Sequence, residues 1–218
     1  MKNLLDGHDL SEWRGVSGTG NEVSHEWLVS GGVSVGSEHA ERFDILAGQG
    51  VLVNGEDGDT ANFATLEEFG DCDLHIEFVV PKGSNSGVYL MGRYEIQILD
   101  SWGADTLRFN TCGGVYARWI NETAVGGAPP RKNASRPPGT WQEYDIRFRA
   151  PRFGDDGRRT ENARFDRVVW NGEVVHENVE VEGPTRGAMA EDEAAQGPLM
   201  LQGDHGPVAY RDIRITSL

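Results

Sequence analysis

Residues 83–101 read GSNSGVYLMGRYEIQILDS, and the reading of the fold turns on this stretch. It reads as a glycine turn, a strand over 87–91, a two-residue turn at Gly92-Arg93 and a second strand over 94–99. Strand side chains alternate between the two faces, so Tyr94, Ile96 and Ile98 point one way and Arg93, Glu95 and Gln97 the other. One face is apolar. The other is a row of charge and amide that is costly to bury unless it lines a polar cleft, and such a cleft on a rigid sheet suits sugar chemistry.

Outward from this hairpin, strand-like runs dominate: 26–29, 32–35, 62–65, 72–80, 141–149, 163–170, 173–181, 199–202 and 208–216. In CDLHIEFVV, Cys72, Leu74, Ile76 and Phe78 alternate with Asp73, His75 and Glu77. In WQEYDIRFRA, Trp141, Tyr144, Ile146 and Phe148 fall nearly in phase, with a slip after Trp141. Trp170-Asn171-Gly172-Glu173 is a strong hairpin signal, because Asn-Gly accepts positive φ at both central positions. The one helical candidate is 185–196, rich in Ala and Glu. Residues 124–138 are too proline-rich for a central strand and read as loop. Many short strands separated by turns predict an all-β fold, an antiparallel sandwich or jelly roll, in a single domain over 1–218.

The composition narrows the partners. The 29 glycines and nine prolines are scattered, which argues for many turns rather than disorder. The formal charge of −15 repels phosphates, so neither nucleic acid nor an anionic membrane is an expected partner, whereas a small neutral carbohydrate is compatible. No apolar run reaches the ~18 residues of a membrane span. The start lacks a signal-peptide core, which leaves a cytoplasmic location or a mature chain as alternatives. Two cysteines, Cys72 and Cys112, allow one disulfide or two core thiols. There is no GxGxxG, P-loop, GxSxG or HExxH motif, so nucleotide, serine-hydrolase and zincin chemistry have no support.

Candidate site residues cluster in three places. Glu95-x-Gln97-x-x-Asp100 brings two carboxylates to one strand face if a bulge near Ile98-Leu99 returns Asp100 to the Glu95 side, a spacing useful for acid–base work at a glycosidic carbon. Asn85, in the turn before the first strand, either binds sugar hydroxyls or caps its own turn. Gln202-Gly203-Asp204-His205-Gly206-Pro207 sets a histidine beside a carboxylate, as a general base or as a metal-ligating pair. Tyr89, Tyr116, Arg118 and Trp119 supply material for a sugar-stacking wall. His176 lies on a strand, and His8, His25, His39 and His75 have no supporting context.

These motifs, taken in order, resemble the 3-keto-disaccharide hydrolase domain family over almost the full chain. The resemblance rests on LLDGHDLSEWRG from Leu4, FGDCDLHIEF from Phe69, GSNSGVYLMGRYEIQILDS from Gly83, CGGVY from Cys112, KNAS from Lys132, PPGTWQEYDIRFRAPRF from Pro137, NGEVVHENVEVEGPT from Asn171 and GPLMLQGDHGPVAYRDIRI from Gly197. It implies a concanavalin A-like jelly-roll sandwich of two curved antiparallel sheets, and a periplasmic or secreted location. The same fold carries family 16 glycoside hydrolases, whose Glu-x-Asp-x-x-Glu strand is similar in spacing to Glu95–Asp100 but not in identity. The resemblance implies cleavage of 3-keto glycosides by removal of the C2 proton, β-elimination of the aglycone and hydration. Glu95 or His205 is then the base, Asp100 assists the leaving group or holds a metal, and Arg93, Gln97 or a divalent cation stabilises the enolate. Asn85, Tyr89, Tyr116, Gln202 and Asp204 contact the substrate. A non-catalytic carbohydrate-binding module and a family 16-like β-glucanase are the alternatives. Residues 38–62 are read as a long loop on the substrate rim.

Overall fold

The computed structural model describes residues 1–5, 9–36 and 39–218. His8 and the centre of the LLDGHDLSEWRG motif lie outside the described residues, as does Glu38. The described residues form an all-β sandwich of two antiparallel sheets with two accessory hairpins and no helix. In chain order the strands are β1 (Lys2–Asn3), β2 (Trp13–Val16), β3 (Leu28–Val35), β4 (Phe43–Val53), β5 (Asn62–Phe69), β6 (Cys72–Val79), β7 (Asn85–Leu90), β8 (Tyr94–Leu99), β9 (Arg118–Ile120), β10 (Thr123–Val125), β11 (Gln142–Arg149), β12 (Arg152–Phe153), β13 (Arg159–Glu161), β14 (Ala163–Trp170), β15 (Glu173–Val181), β16 (Gly197–Leu201) and β17 (Ala209–Ser217). The larger sheet runs β15-β14-β11-β6-β17-β4-β3, with β1 also on β17. The smaller runs β2-β5-β16-β7-β8. This is the antiparallel sandwich that the strand pattern predicts, in the concanavalin A-like form that the family resemblance implies.

Period-two patterning builds the core. Leu74, Ile76 and Phe78 of β6 and Tyr144, Ile146 and Phe148 of β11 face Tyr94, Ile96 and Ile98 of β8 in one cluster. Tyr94 meets Phe148 with ring centroids 5.5 Å apart, and Phe78 meets Tyr144 at 4.8 Å. Each such large apolar side chain stabilises the fold by about 1.5–3 kcal/mol through burial. The Asn171-Gly172 hairpin forms as expected, with φ of 51° and 81°. Gln142, not Trp141, is the inward residue that opens β11. Trp141 lies on the other side of the sheet, under the Arg211 guanidinium at 4.1 Å.

Three expectations need correction, and the cysteine alternatives are resolved. The turn after β7 has three residues, Met91 to Arg93, because Leu90 pairs with Tyr94 and both Met91 and Gly92 take positive φ. Residues 185–196 form no helix. Their backbone is spent on loop contacts, such as Thr185 N to Arg93 O (2.8 Å) and Met189 N to Gly92 O (2.9 Å). Within the stretch read as a rim loop, Phe43–Val53 is the long strand β4, paired to both β3 and β17. Its glycines and short side chains hid it from the periodicity. Cys72 and Cys112 are unbonded thiols buried in the core, and burial pushes them up to about 12 and about 11, so both stay protonated and inert.

Candidate functional site

β8 places its polar face on the outer side of the smaller sheet. Its register with β7 is regular from Asn85↔Leu99 to Leu90↔Tyr94. On its other edge residues 113–116 run alongside it, with Gln97 N to Gly114 O at 2.9 Å and Tyr116 N to Glu95 O at 3.0 Å. Glu95 and Gln97 therefore sit in the middle of a covered sheet, and both are buried. Gly87 makes room for the carboxylate: a Cβ at that position would stand 2.2 Å from Glu95 Oε1.

A cavity of about 270 Å³ opens over this face, lined by Asn85, Tyr89, Glu95, Gln97, Tyr116, Arg186, Gly187, Gln202 and His205. Two strands of the small sheet and three connecting segments thus converge on one site. Seven of the residues anticipated from sequence line it. Asp204 stands at its margin, where its Oδ1 meets His205 Nδ1 at 2.5 Å. The loop carrying His205 is tied down from beneath. Asn54, just after β4, donates to Gly203 O (3.0 Å) and Gly206 O (2.9 Å) and accepts from Val208 N (2.8 Å). Gly58 packs so closely on this loop that a Cβ there would lie 2.1 Å from Gly206 C. Ser84 Oγ donates to Pro207 O at 2.6 Å.

The electrostatics single out Glu95. Full burial pushes its carboxyl up to about 8, the nearby Asp204 charge adds to the rise, and interaction with Tyr89 opposes it. At neutral pH Glu95 is a carboxylic acid with a proton to give. Tyr89 and Tyr116 are raised as well, chiefly by burial. The side-chain oxygens of Asn85, Gln97 and Gln202 are buried and have no hydrogen-bond partner within the protein. Such groups are costly unless a ligand or solvent satisfies them, and these three line the same cavity.

Four anticipated residues stand elsewhere: Arg118 and Trp119 line a separate groove on the far side of Arg186, and Asp100 and Arg93 serve the turns and loops. The regular β7–β8 register leaves no bulge to return Asp100 to the Glu95 side. Its carboxylate instead accepts from Gly83 N (2.9 Å) and Trp102 N (3.3 Å), holding the turns around it. Arg93 is buried outside the cavity, where Nε donates to Asp192 O (2.6 Å) and Nη1 to Met91 O (3.0 Å). His176 is a buried structural group, with Nε2 2.7 Å from Gly113 O, which steadies the segment beside β8.

Arg186 was not anticipated. It lies in the stretch that reads as helix, and nothing in the local sequence marks it. Thr185 fixes it: Thr185 Oγ1 donates to Arg93 O (3.0 Å) and accepts from Glu95 N (3.2 Å), and Arg186 N donates to Ala117 O (2.9 Å). A group of His, Asp or Glu side chains close enough to share a cation does occur among the described residues, at His75, Glu77 and Glu143. It lies on β6 and β11 of the larger sheet, away from this cavity.

Three comparisons bear on kinship. A sequence profile of the 3-keto-alpha-glucoside-1,2-lyase-like domain matches residues 1–216. Among solved structures, a candidate glycosyl hydrolase from Parabacteroides distasonis ATCC 8503 is 30% identical with a TM-score of 0.68, covering 100% of this chain and 83% of its own. A second from the same organism is 16% identical with a TM-score of 0.61, covering 99% and 92%, and shares the fold. None of the curated proteins compared with the chain matches it. With its fold, its motifs and nearly all its length accounted for, this chain belongs to the 3-keto-alpha-glucoside-1,2-lyase-like domain family.

Proposed function

We propose that this protein cleaves 3-keto glycosides by elimination and hydration in the Glu95 cavity. The observation that carries the reading is the meeting, in one cavity, of a buried protonated carboxyl, a carboxylate-held imidazole and three unsatisfied amide oxygens. The amides suit the hydroxyls of a sugar ring. Family membership supports a carbohydrate substrate.

A ketone at C3 acidifies the proton on C2. His205, oriented by Asp204 through Nδ1, takes that proton as base. The C–H electron pair forms the enolate, then the C1–C2 double bond as the C1–O bond breaks. Glu95 gives its proton to the departing aglycone oxygen. Water next adds across the double bond, its hydroxyl to C1 and a proton from His205 to C2, and Glu95 recovers a proton from solvent. The Arg186 guanidinium and the Gln97 amide offset the negative charge that develops on the C3 oxygen. Arg186 thereby takes the part for which Arg93 was one of the candidates. No step is assigned to a divalent cation.

Ordinary glycoside hydrolysis fits less well. It needs two carboxyl groups about 5–9.5 Å apart flanking the bond. Glu95 is the one carboxyl among the described residues that line the cavity, Asp204 is engaged with His205, and Asp100 is engaged elsewhere. Incubation with a 3-keto glucoside and with its unoxidised parent, following aglycone release, tests the reading. Release from the keto substrate alone is expected. Release from both at equal rates, or binding of the keto sugar without release, overturns it.

A further inference from the structure

The outer face of the larger sheet carries a group of side chains that the reaction in the Glu95 cavity does not use. The antiparallel register of β6 and β11 sets His75 opposite Asp145 and Glu77 opposite Glu143. All four project outward, because Leu74, Ile76, Tyr144 and Ile146, which alternate with them, fill the core. A bulge in β17, with Asp212 at a φ of 48°, brings a further carboxylate beside the histidine. Donor atoms of His75, Glu77 and Glu143 lie within 4.8 Å of one another. Two carboxylates directly opposite each other on a sheet repel. Arg211 offsets Glu77, donating from Nε at 2.5 Å, but no cation among the described residues pairs with Glu143. The neighbouring guanidinia are already engaged, Arg147 by Asp73 and Arg214 by Asp212. The histidine carries a second and separate sign. Its Nδ1 stands 2.7 Å from Asp145 Oδ1. A carboxylate accepts only, so Nδ1 holds the proton and the lone pair of the neutral ring is on Nε2. Nε2 is buried and has no hydrogen-bond partner, since Asp212 Oδ2 is too far at 3.6 Å.

We propose that His75, Glu77 and Glu143 bind a divalent cation of the zinc class on the outer face of the larger sheet. His75 supplies the Nε2 lone pair. Asp145 fixes the ring in the tautomer and orientation that a metal-binding imidazole needs. The two glutamates supply oxygens, and the ion offsets their mutual repulsion. One nitrogen and two oxygens leave a fourth, water-filled position in a tetrahedral shell. An imidazole nitrogen in the donor set favours Zn²⁺ over Ca²⁺ and Mg²⁺, which prefer oxygen throughout. Zinc–ligand distances of about 2.0–2.2 Å require the two glutamates, both half-buried, to rotate inward while the Asp145-held ring stays in place. The bound ion ties β6 to β11. It lies on the sheet that does not carry Glu95, so it stands or falls separately from the reaction proposed above.

Calorimetric titration of the intact, chelator-treated chain with ZnCl₂ tests the site. The wild type should take up one ion and melt at a higher temperature with zinc than without it. His75→Gln and, independently, Glu143→Gln should each weaken zinc binding at least tenfold. Asp145→Asn keeps all three ligands and should still weaken it about 10–100-fold, because the imidazole loses its orienting partner. CaCl₂ and MgCl₂ should bind at least tenfold more weakly than zinc. The ¹⁵N resonances of the His75 ring in the wild type decide the question without any variant, since Nε2 should shift on zinc addition while Nδ1 stays protonated. No zinc uptake by the wild type, or unchanged His75 ring resonances in its presence, overturns the site. So does zinc binding that survives His75→Gln but is lost in His205→Ala, which would put the ion in the Glu95 cavity instead.

Discussion

In the proposed reaction Glu95 is the acid, and its state is set by its surroundings. A carboxyl on an exposed strand would be ionised at neutral pH. Here β7, the 113–116 segment and Tyr89 enclose it, and it keeps its proton up to about 8. As an acid it is useful below that value and lost above it, so turnover of a 3-keto glycoside should fall on the alkaline side with a midpoint near pH 8. Glu95→Gln should lower kcat by about 10²–10⁴-fold and abolish this alkaline limb. A variant with wild-type kcat and an unchanged pH profile would remove Glu95 from the mechanism. Asp204→Asn acts differently, because the imidazole remains but loses the carboxylate that orients it. The expected result is a lower kcat with KM little changed, measured on the same substrate.

At the scale of elements, the small sheet supplies rigidity and its loops supply reach. β8 carries Glu95 and Gln97, β7 carries Asn85 and Tyr89, and the segments after β16 and β15 bring His205 and Arg186 over them. Asn54 is the tie between the β4–β5 connection and the His205 loop, through three hydrogen bonds at 2.8–3.0 Å. Asn54→Ala leaves buried backbone groups unpaired, which costs about 1–3 kcal/mol for each group left unsatisfied. The variant should melt at a lower temperature and lose activity beyond what its folded fraction explains, checked by calorimetry beside initial rates. Sequence reading found the strands of this scaffold wherever alternation was clean, as in β6, β14 and β15. It missed β4, where Gly48 and Gly50 interrupt the pattern and five consecutive residues, Leu46 to Gly50, are exposed. It gave helix to residues 185–196 because Ala and Glu favour helices in isolation. Local preference lost there to the tertiary hydrogen bonds of Thr185 and Met189 and to the packing of Met189 on Tyr89 and Met200.

For the whole molecule, the site leaves a mark on stability. Glu95 has a raised value in the folded protein, so its contribution is complete below the unfolded carboxyl range near 4.5 and is lost as pH rises through about 8. His176 runs the other way. Burial lowers it from 6.5, so its contribution is complete above 6.5 and is lost as pH falls through its lower folded value. Glu95→Gln should therefore gain stability over wild type as pH rises from 4.5 to about 8, and no further above it. The full gain is on the order of 4–5 kcal/mol. Denaturant melts of the two proteins across this range check it, and parallel curves would show that Glu95 is ionised when folded.

Sequence by itself determined the sandwich and named most of the residues that line the cavity. Strand alternation is a local property, legible in Cys72–Val79 or Tyr94–Leu99 without a partner, and the polar residues it sets on one face at Glu95 and Gln97 do line the cavity. Order along the chain also marked Asp204-His205 as a pair. What only the tertiary structure decided is which polar groups meet and in what state. Asp100 and Arg93 are near Glu95 in sequence, yet one holds a turn and the other a loop. Arg186, some ninety positions away, closes the site. The protonation of Glu95 was equally invisible in the chain, because it follows from desolvation by segments distant in sequence. Alternation says which face a side chain takes. Proximity and burial depend on contacts across the sheet, and those exist only once the chain has folded.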